Sequence, residues 1–299
     1  MTAENFEYEP PMRKLGELTK NAVVLVSGDV TVHSEALQEA VRRLKPIREA
    51  AERSDESDKI SVQATAECYA ACLRDVVARR AAIERLGPYG MTLSGFLERQ
   101  HLLPDTVVAR LQHDLASYQI DVEALVVGHD EIGAHIYVVD YRGQIYCQND
   151  IGFAAIGIGY QQAKSQFMLA GYANYWAYFN VLTLTHWAKR SAEIIAGVGS
   201  HTDMHIIGRL GLSQYDDRLV AEMDKQYESY ISKRKVILQK AVEKNWKAFQ
   251  RINQGSSQQQ SSVSTEPPPL TEEGCQEAGV SPDKTRDGTG IPELRIVDA

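Results

Sequence analysis

Residues 22–37 read AVVLVSGDVTVHSEAL, and this stretch decides the fold of the chain. Its first part, AVVLV, is a β-branched apolar run that predicts a buried strand, closed by Ser27, Gly28 and Asp29. From Ser34 onward the apolar residues recur at helical spacing, so a helix is expected to begin there. The stretch therefore predicts a strand, a glycine turn and a helix in close succession.

Further helices are expected on both sides of a group of strands. Ser61 is a plausible N-cap for the second helix, Pro104 separates two shorter helices, and Ser213 with Asp216 resembles a capping box for the last one. The predicted helices cover residues 61–86, 92–100, 105–118, 160–172, 178–195 and 213–253.

Strands are predicted where apolar and polar residues begin to alternate. Turns that contain Gly133 and Gly143 separate three short apolar runs, as they would in antiparallel hairpins. The predicted strands cover residues 122–127, 135–140, 144–147, 153–158 and 205–207. This order does not fit a βαβ Rossmann alternation and favours a layered sandwich, with sheets inside and helix pairs outside.

The composition is that of a globular protein. The 299 residues are 43% hydrophobic and 24% charged, and no membrane-spanning stretch or leader is recognised, so a cytoplasmic protein is expected. The net charge of −8 disfavours nucleic acid as the main partner. The 4 cysteines form no CxxC pair, which argues against a disulfide framework or a zinc ribbon.

The C-terminal residues 254–299 form an acidic tail. Eight acids stand against three bases, so the tail carries −5 of the net charge of −8. It contains three consecutive prolines and no aromatic residue, and such a segment cannot bury enough apolar area to offset its ordering entropy. We therefore predict that the tail is disordered.

Two groups of residues suggest ligand chemistry, each with a plainer alternative. Gly157-x-Gly159 could begin a phosphate-binding loop, but Gln162 stands where the third glycine belongs, so a tight turn is favoured. His201, Asp203 and His205 are metal-compatible residues that would share one face of a strand, but a strand end with polar residues facing solvent is favoured. We expect no metal and no cofactor.

One histidine and one aromatic group favour structural interpretations. His186 lies among apolar residues and is expected to be a core histidine. A dense aromatic group could be a partner surface, although a buried helix–helix corner is favoured. The group consists of Tyr172, Tyr175, Trp176, Tyr178 and Phe179.

Four segments, taken together, resemble β-type proteasome subunits. They are KLGELTKNAVVLVSGDVTVHSEAL (14–37), DVEALVVGHDEIGAHIYVVDYRGQIY (121–146), FAAIGIGYQQAK (153–164) and GSHTDMHII (199–207). The second contains a G-x-D-x-x-G-x-x-[IL]-Y core that begins at Gly128 and Asp130. The four segments stand in the same order as in that family.

The resemblance implies an α+β fold of the N-terminal-nucleophile (Ntn) hydrolase type, a four-layer αββα sandwich. It would be a proteasome-like domain over residues 1–212, with a helical insertion at about 79–118. The long C-terminal helix (213–253) and the disordered tail (254–299) would be additions to the family's fold.

The resemblance also implies a threonine-type peptidase site. Lys14 falls on the catalytic lysine, Gly28 on the glycine whose N–H stabilises the oxyanion, and Thr2 on the substrate-lining edge strand. The nucleophile would stand about nineteen positions before Thr2, and therefore ahead of Met1. For Lys14 a solvated strand lysine, and for Gly28 a plain turn glycine, are the alternatives.

Three other positions depart from the family's pattern. Ile158, Ile195 and Val198 stand where polar residues near the nucleophile are usual, and an apolar side chain cannot orient an amine.

The residues therefore predict a proteasome-like subunit that is inactive as the 299-residue chain. The alternatives are a non-catalytic assembly subunit or pseudoenzyme, and an unrelated binding protein with a similar sandwich.

The expected partner is the chain itself, because the apolar stripe of the long helix needs a cover. We predict a homo-oligomer, either a ring or another assembly, that binds peptide or unfolded protein if it is active. Neither nucleic acid nor a membrane is expected as a partner.

Truncation after Asn253 is predicted to leave the folded domain intact, because the removed tail lacks aromatic residues and holds five of the ten prolines. The melting temperature, followed by circular dichroism, should stay within a few degrees of that of the full chain. A large drop would show that the apolar terminal residues IPELRIVDA dock on the domain.

Overall fold

The computed structural model describes residues 14–54, 59–208 and 211–256. Of these, 59% are helical and 16% lie in strands, which confirms a mixed α and β protein. The seven α-helices of the described part are α1 (Val30–Ser54), α2 (Val62–Leu86), α3 (Leu93–Arg99), α4 (Asp105–Ala116), α5 (Tyr160–Leu169), α6 (Tyr178–Ala192) and α7 (Asp217–Ser256). Its strands are β1 (Leu15–Thr19), β2 (Ala22–Gly28), β3 (Val122–His129), β4 (Ala134–Val139), β5 (Ile145–Cys147), β6 (His205–Gly208) and β7 (Gly211–Gln214).

The main sheet is an antiparallel meander whose strands follow chain order, β1-β2-β3-β4-β5. Helices α1 to α4 are inserted between β2 and β3, which nevertheless pair along their whole length from Ala22↔Gly128 to Gly28↔Val122. Strands β6 and β7 form a separate two-stranded ribbon, and β6 contacts β3.

One face of the main sheet forms the largest core. Every second residue of β3, namely Val122, Ala124 and Val126, is buried in a cluster with residues of α1 and α2. The side chains on this face of β3 therefore pack against the apolar sides of α1 and α2. Fully burying one such side chain contributes about 1.5–3 kcal/mol, so this face dominates the stability of the sheet.

Asp130 connects the β3–β4 hairpin to the start of α2. Its carboxylate is 5% exposed and accepts hydrogen bonds from the Val62 N–H (3.0 Å) and from His135 Nε2 (2.9 Å). Burial raises the pKa of Asp130, but these hydrogen bonds outweigh burial and hold the pKa below its ordinary value. The carboxylate therefore stays ionised and holds the helix against the hairpin.

A second, aromatic cluster lies between α5 and α6. Phe153 stacks on Phe167 with ring centroids 4.3 Å apart, and Tyr172 meets both rings edge-on. Trp176 packs against the same cluster, whereas Tyr175 is 89% and Phe179 73% exposed. Part of the aromatic group therefore lies in a helix–helix corner, as predicted, while Tyr175 and Phe179 are exposed to solvent.

Three of the local predictions are wrong. Residues 153–158 form no strand, because the segment passes through a left-handed Gly157 and makes no ladder. Helix α1 begins at Val30 and not at Ser34, because Asp29 caps it. Ser213 is no N-cap, because it lies in β7 and pairs with Ile206.

The chain divides into two compact units, with the boundary inside α7 between Glu228 and Ser229. The predicted domain limits at 212 and 253 and the helical insertion stay predictions. The predicted disordered tail falls on residues 254–299, of which 257–299 lie outside the described part of the chain. Within the described residues, no helix combines the length and the apolar character needed to cross a membrane.

His33 links α1 to the end of β2 and to α2. Its Nε2–H donates to the Ser27 carbonyl (2.9 Å), and its Nδ1 accepts from the Tyr69 hydroxyl (2.8 Å). This arrangement needs the neutral imidazole, and burial lowers the pKa of His33. A lowered pKa means that the unfolded chain takes up the proton first, so stability falls as the pH drops below the ordinary value of about 6.5.

His33→Gln is predicted to lower the free energy of unfolding at pH 7.5 by about 1–3 kcal/mol, because two buried hydrogen bonds are disturbed. Between pH 7.5 and 5 the variant should then lose less stability than the wild type. Urea unfolding at several pH values measures both effects. An unchanged pH dependence would show that His33 does not titrate in this window.

Candidate functional site

The junction between β2 and α1 is built around a close approach of two backbones. Gly28 has a φ of +93°, and a Cβ atom placed on it would lie 1.9 Å from the Asp121 carbonyl oxygen. The next residue, Asp29, donates its N–H to that oxygen at 2.8 Å. Only glycine combines this backbone conformation with this contact.

Asp29 caps α1 and so completes the junction. Its Oδ1 accepts from the N–H groups of Thr31 (2.8 Å) and Val32 (3.2 Å) and from the Thr31 hydroxyl (2.6 Å). The Thr31 hydroxyl is the main reason why the pKa of Asp29 lies below its ordinary value. The carboxylate is thus ionised at neutral pH and satisfies the first N–H groups of the helix.

The peptide between Ser27 and Gly28 has a fixed orientation. Its carbonyl accepts from His33 Nε2 at 2.9 Å. Because the peptide is trans, the Gly28 N–H points in the opposite direction, away from His33. The N–H assigned to the oxyanion by resemblance is therefore oriented by a buried histidine, a role that sequence reasoning missed.

Lys14 lies next to this junction. Its carbonyl accepts from the Val26 N–H at 2.9 Å, which places Lys14 opposite a residue two positions before Gly28. The residue as a whole is exposed. The structure thus brings Lys14 and Gly28 to the same end of the sheet, while Thr2 lies outside the described residues.

A third stretch of chain reaches the same end of the sheet. Gly157 has a φ of +81°, and a Cβ atom there would lie 2.7 Å from Ser27 Oγ. Its N–H donates to the Glu123 carboxylate at 3.3 Å. Sequence reasoning missed Glu123, although a single acid in the apolar run of β3 was a signal that could have found it.

The loop around Gly157 also brings apolar residues to this region. Ile158 is 58% exposed. A Cβ atom on Gly159 would lie 3.1 Å from Val198 Cγ2 and 2.8 Å from Ala192 Cβ. The loop therefore borders on side chains that neither donate nor accept a hydrogen bond.

A polar cavity of about 630 Å³ adjoins Asp29. Arg80 lines it, with Nη2 2.5 Å from Glu35 and Nη1 3.6 Å from Asp29. With three carboxylates and one guanidinium, the lining is acidic. The lining residues are Asp29, Arg80, Ile83, Glu84, Tyr118, Gln119, Ile120 and Asp121.

The other candidates from the sequence do not form a comparable site. His201 and Asp203 approach to 3.2 Å on the surface, and the described residues contain no cluster of three metal-compatible side chains. His186 is buried, as predicted, with Nε2 3.1 Å from Asp224 Oδ1. Burial raises the pKa of Cys72 to about 12, so this thiol is no ready nucleophile.

Comparison with known proteins adds no family assignment. No protein-family model matches the chain, and no curated protein matches its sequence. The candidate site therefore rests on the geometry of the junction and on the resemblance of the four segments.

Gly28→Ala is predicted to lower the free energy of unfolding by at least about 3 kcal/mol, because the methyl group meets the Asp121 backbone. Gly90→Ala is the matched control. Gly90 also has a positive φ, +68°, but has open space around it, so this change should cost about 1 kcal/mol. Equal losses in urea unfolding would show that the close approach at Gly28 is not present in solution.

Proposed function

We propose that the chain is a proteasome-like subunit of the Ntn hydrolase type, related to threonine peptidases and inactive as the 299-residue chain. Its fold would be the four-layer αββα sandwich of that family. An antiparallel sheet covered on one face by α1 and α2 supports this proposal. The contact of β6 with β3 supports it too, since a second sheet stacked on the first would produce such a contact.

One observation carries the proposal. Lys14 and Gly28 come from the first of the resembling segments and Gly157 from the third, and all three residues lie together at one end of the main sheet. More than a hundred residues separate Gly28 from Gly157. A common fold would bring these two segments to the same site, so their meeting supports the resemblance.

The junction could contribute two parts of a peptidase centre. The Gly28 N–H, pointing away from His33, would donate to the oxygen of the attacked carbonyl and stabilise its negative charge. The Lys14 ammonium would favour deprotonation of a nearby threonine amine by its positive charge. The threonine hydroxyl would attack the carbonyl carbon, and the free amine would take its proton.

The second candidate function is a non-catalytic assembly subunit of the same fold. The apolar surroundings of the Gly157 loop favour it, because Ile158 and Val198 offer no polar atom to hold an amine. On this alternative the Gly28 junction serves only to connect the sheet to α1.

Purified 299-residue chain is predicted to show no turnover of fluorogenic peptides, because the resemblance aligns Thr2 with an edge strand and not with the nucleophile. Turnover that Thr2→Ala abolishes would show that the alignment of Thr2 with an edge strand is wrong. The same assay should be run on a longer chain that includes the residues encoded in frame before Met1.

The extended chain separates the two candidates. If it supplies a strand pair with an N-terminal threonine and hydrolyses peptide, Lys14→Ala should reduce kcat/KM by at least about 100-fold, while the more conservative Lys14→Arg keeps the charge and part of the rate. A folded extended chain without turnover would support the assembly subunit. Turnover that Lys14→Ala leaves unchanged would overturn the proposed role of Lys14.

A further inference from the structure

The second half of α7, residues 229–251, is strongly basic within an acidic chain. It holds seven basic residues and one acid, Glu243, which gives +6 where the whole chain has −8. All seven bases are exposed, and five of them fall within about 60° of the helix circumference, at about 100° per residue. This basic stripe consists of Lys233, Lys240, Lys244, Lys247 and Arg251.

An apolar stripe runs along the opposite side of the same helix. Ile231, Leu238, Val242 and Phe249 fall within an arc of about 40°, centred roughly 170° from the basic stripe. Leu238 is 53% and Phe249 49% exposed. Val236 (53%) and Ile237 (68%) are also exposed but lie on the side of the basic stripe, so the four residues of the apolar stripe are the ones that recur along one line of the helix.

The spacing of this line is that of a coiled-coil seam. Positions 231, 235, 238, 242, 245 and 249 follow one another in steps of four and three, which is a period of 3.5 residues. Lys235 and Asn245 are the polar members. A polar residue inside such a seam lowers stability and fixes the register of the two helices.

We propose that this seam is a self-association surface, on which the same segment of a second copy packs as a two-stranded coiled coil. A flat anionic surface, such as a layer of lipid headgroups, meets only one of two opposite stripes at a time. A second helix instead covers the apolar stripe and leaves the basic stripe in water, so both stripes are satisfied at once.

The charge of the basic stripe does not oppose this pairing. The two basic stripes would lie on the outer sides of helices whose axes are about 8–10 Å apart. Their separation of roughly 20 Å exceeds the Debye length of about 8 Å at physiological ionic strength, so their repulsion is largely screened. Packing along the apolar stripe is therefore compatible with the five charges of the basic stripe, whereas Lys235 lies in the seam itself and lowers its stability.

The expected association is weak and depends on concentration. The segment is roughly 35 Å long at 1.5 Å per residue, which is about three heptads. Such a contact is smaller than the ~1,200–2,000 Å² of a standard stable interface. The inference depends only on α7 and holds whether or not the chain is proteasome-like.

Sedimentation equilibrium of the full 299-residue chain over a concentration series tests the seam. The wild type should show a reversible monomer–dimer equilibrium, and Leu238→Asp should raise the Kd at least about tenfold. Ile237→Asp is the matched control, because Ile237 is the adjacent residue, is 68% exposed and lies off the seam. It should leave the Kd unchanged, with the same far-UV circular dichroism for all three proteins.

A gain-of-affinity variant guards against non-specific effects of a new charge. Asn245→Ile should lower the Kd at least about tenfold, because it replaces a polar residue of the seam by an apolar one. A chain that stays monomeric up to about 100 μM, or equal effects of Leu238→Asp and Ile237→Asp, would overturn the proposal. A monomer that co-sediments with phosphatidylserine vesicles would also overturn it and assign the helix to a lipid surface.

Discussion

The hydrogen bond from His33 to the Ser27 carbonyl is the interaction on which the geometry of the junction depends. It ties the last peptide of β2 to α1, and Tyr69 of α2 holds the other nitrogen of the same ring. The sheet and both covering helices therefore meet at one buried imidazole. Because that imidazole must be neutral, the connection is sensitive to pH in a way that apolar packing alone would not be.

The same hydrogen bond relates the fold to the proposed chemistry. It orients the peptide whose N–H would serve an oxyanion, while the contact of Gly28 with Asp121 prevents that peptide from shifting toward β3. Carboxylates, Lys14 and the apolar Gly157 loop lie around this peptide. The polar members favour a peptidase centre and the apolar loop favours an assembly subunit, so the two candidate functions differ in which side of the junction is used.

Local patterns predicted most of the regular elements. The N-cap of α2 is Ser61, whose hydroxyl accepts from the Ala64 N–H as expected, and the period-two runs predicted β3, β4 and β5. Predictions failed where the outcome depends on distant residues. An apolar run such as 153–158 becomes a strand only if a neighbour offers a free edge, and here Gly157 instead turns the chain toward Glu123.

The site was predictable to a similar extent. The resemblance indicated Lys14 and Gly28, but His33 and Glu123 act through contacts that no local spacing encodes. At Ser213 a local pattern gave a wrong prediction. Its sequence resembles a capping box, but the residue pairs with Ile206 in the β6–β7 ribbon, of which only β6 was predicted. Tertiary partners, some near in sequence and some distant, decided these outcomes more than local propensities did.

Amide hydrogen exchange at Gly28 and Asp29, followed by NMR on selectively ¹⁵N-labelled protein, tests the proposed geometry most directly. The Asp29 N–H is bonded to the Asp121 carbonyl and should exchange only through large-scale unfolding. The Gly28 N–H, which points away from His33 in an exposed residue, should exchange quickly and remain available to a ligand. Equal, strong protection of both amides would contradict the account, because the Gly28 donor would then already be used within the fold.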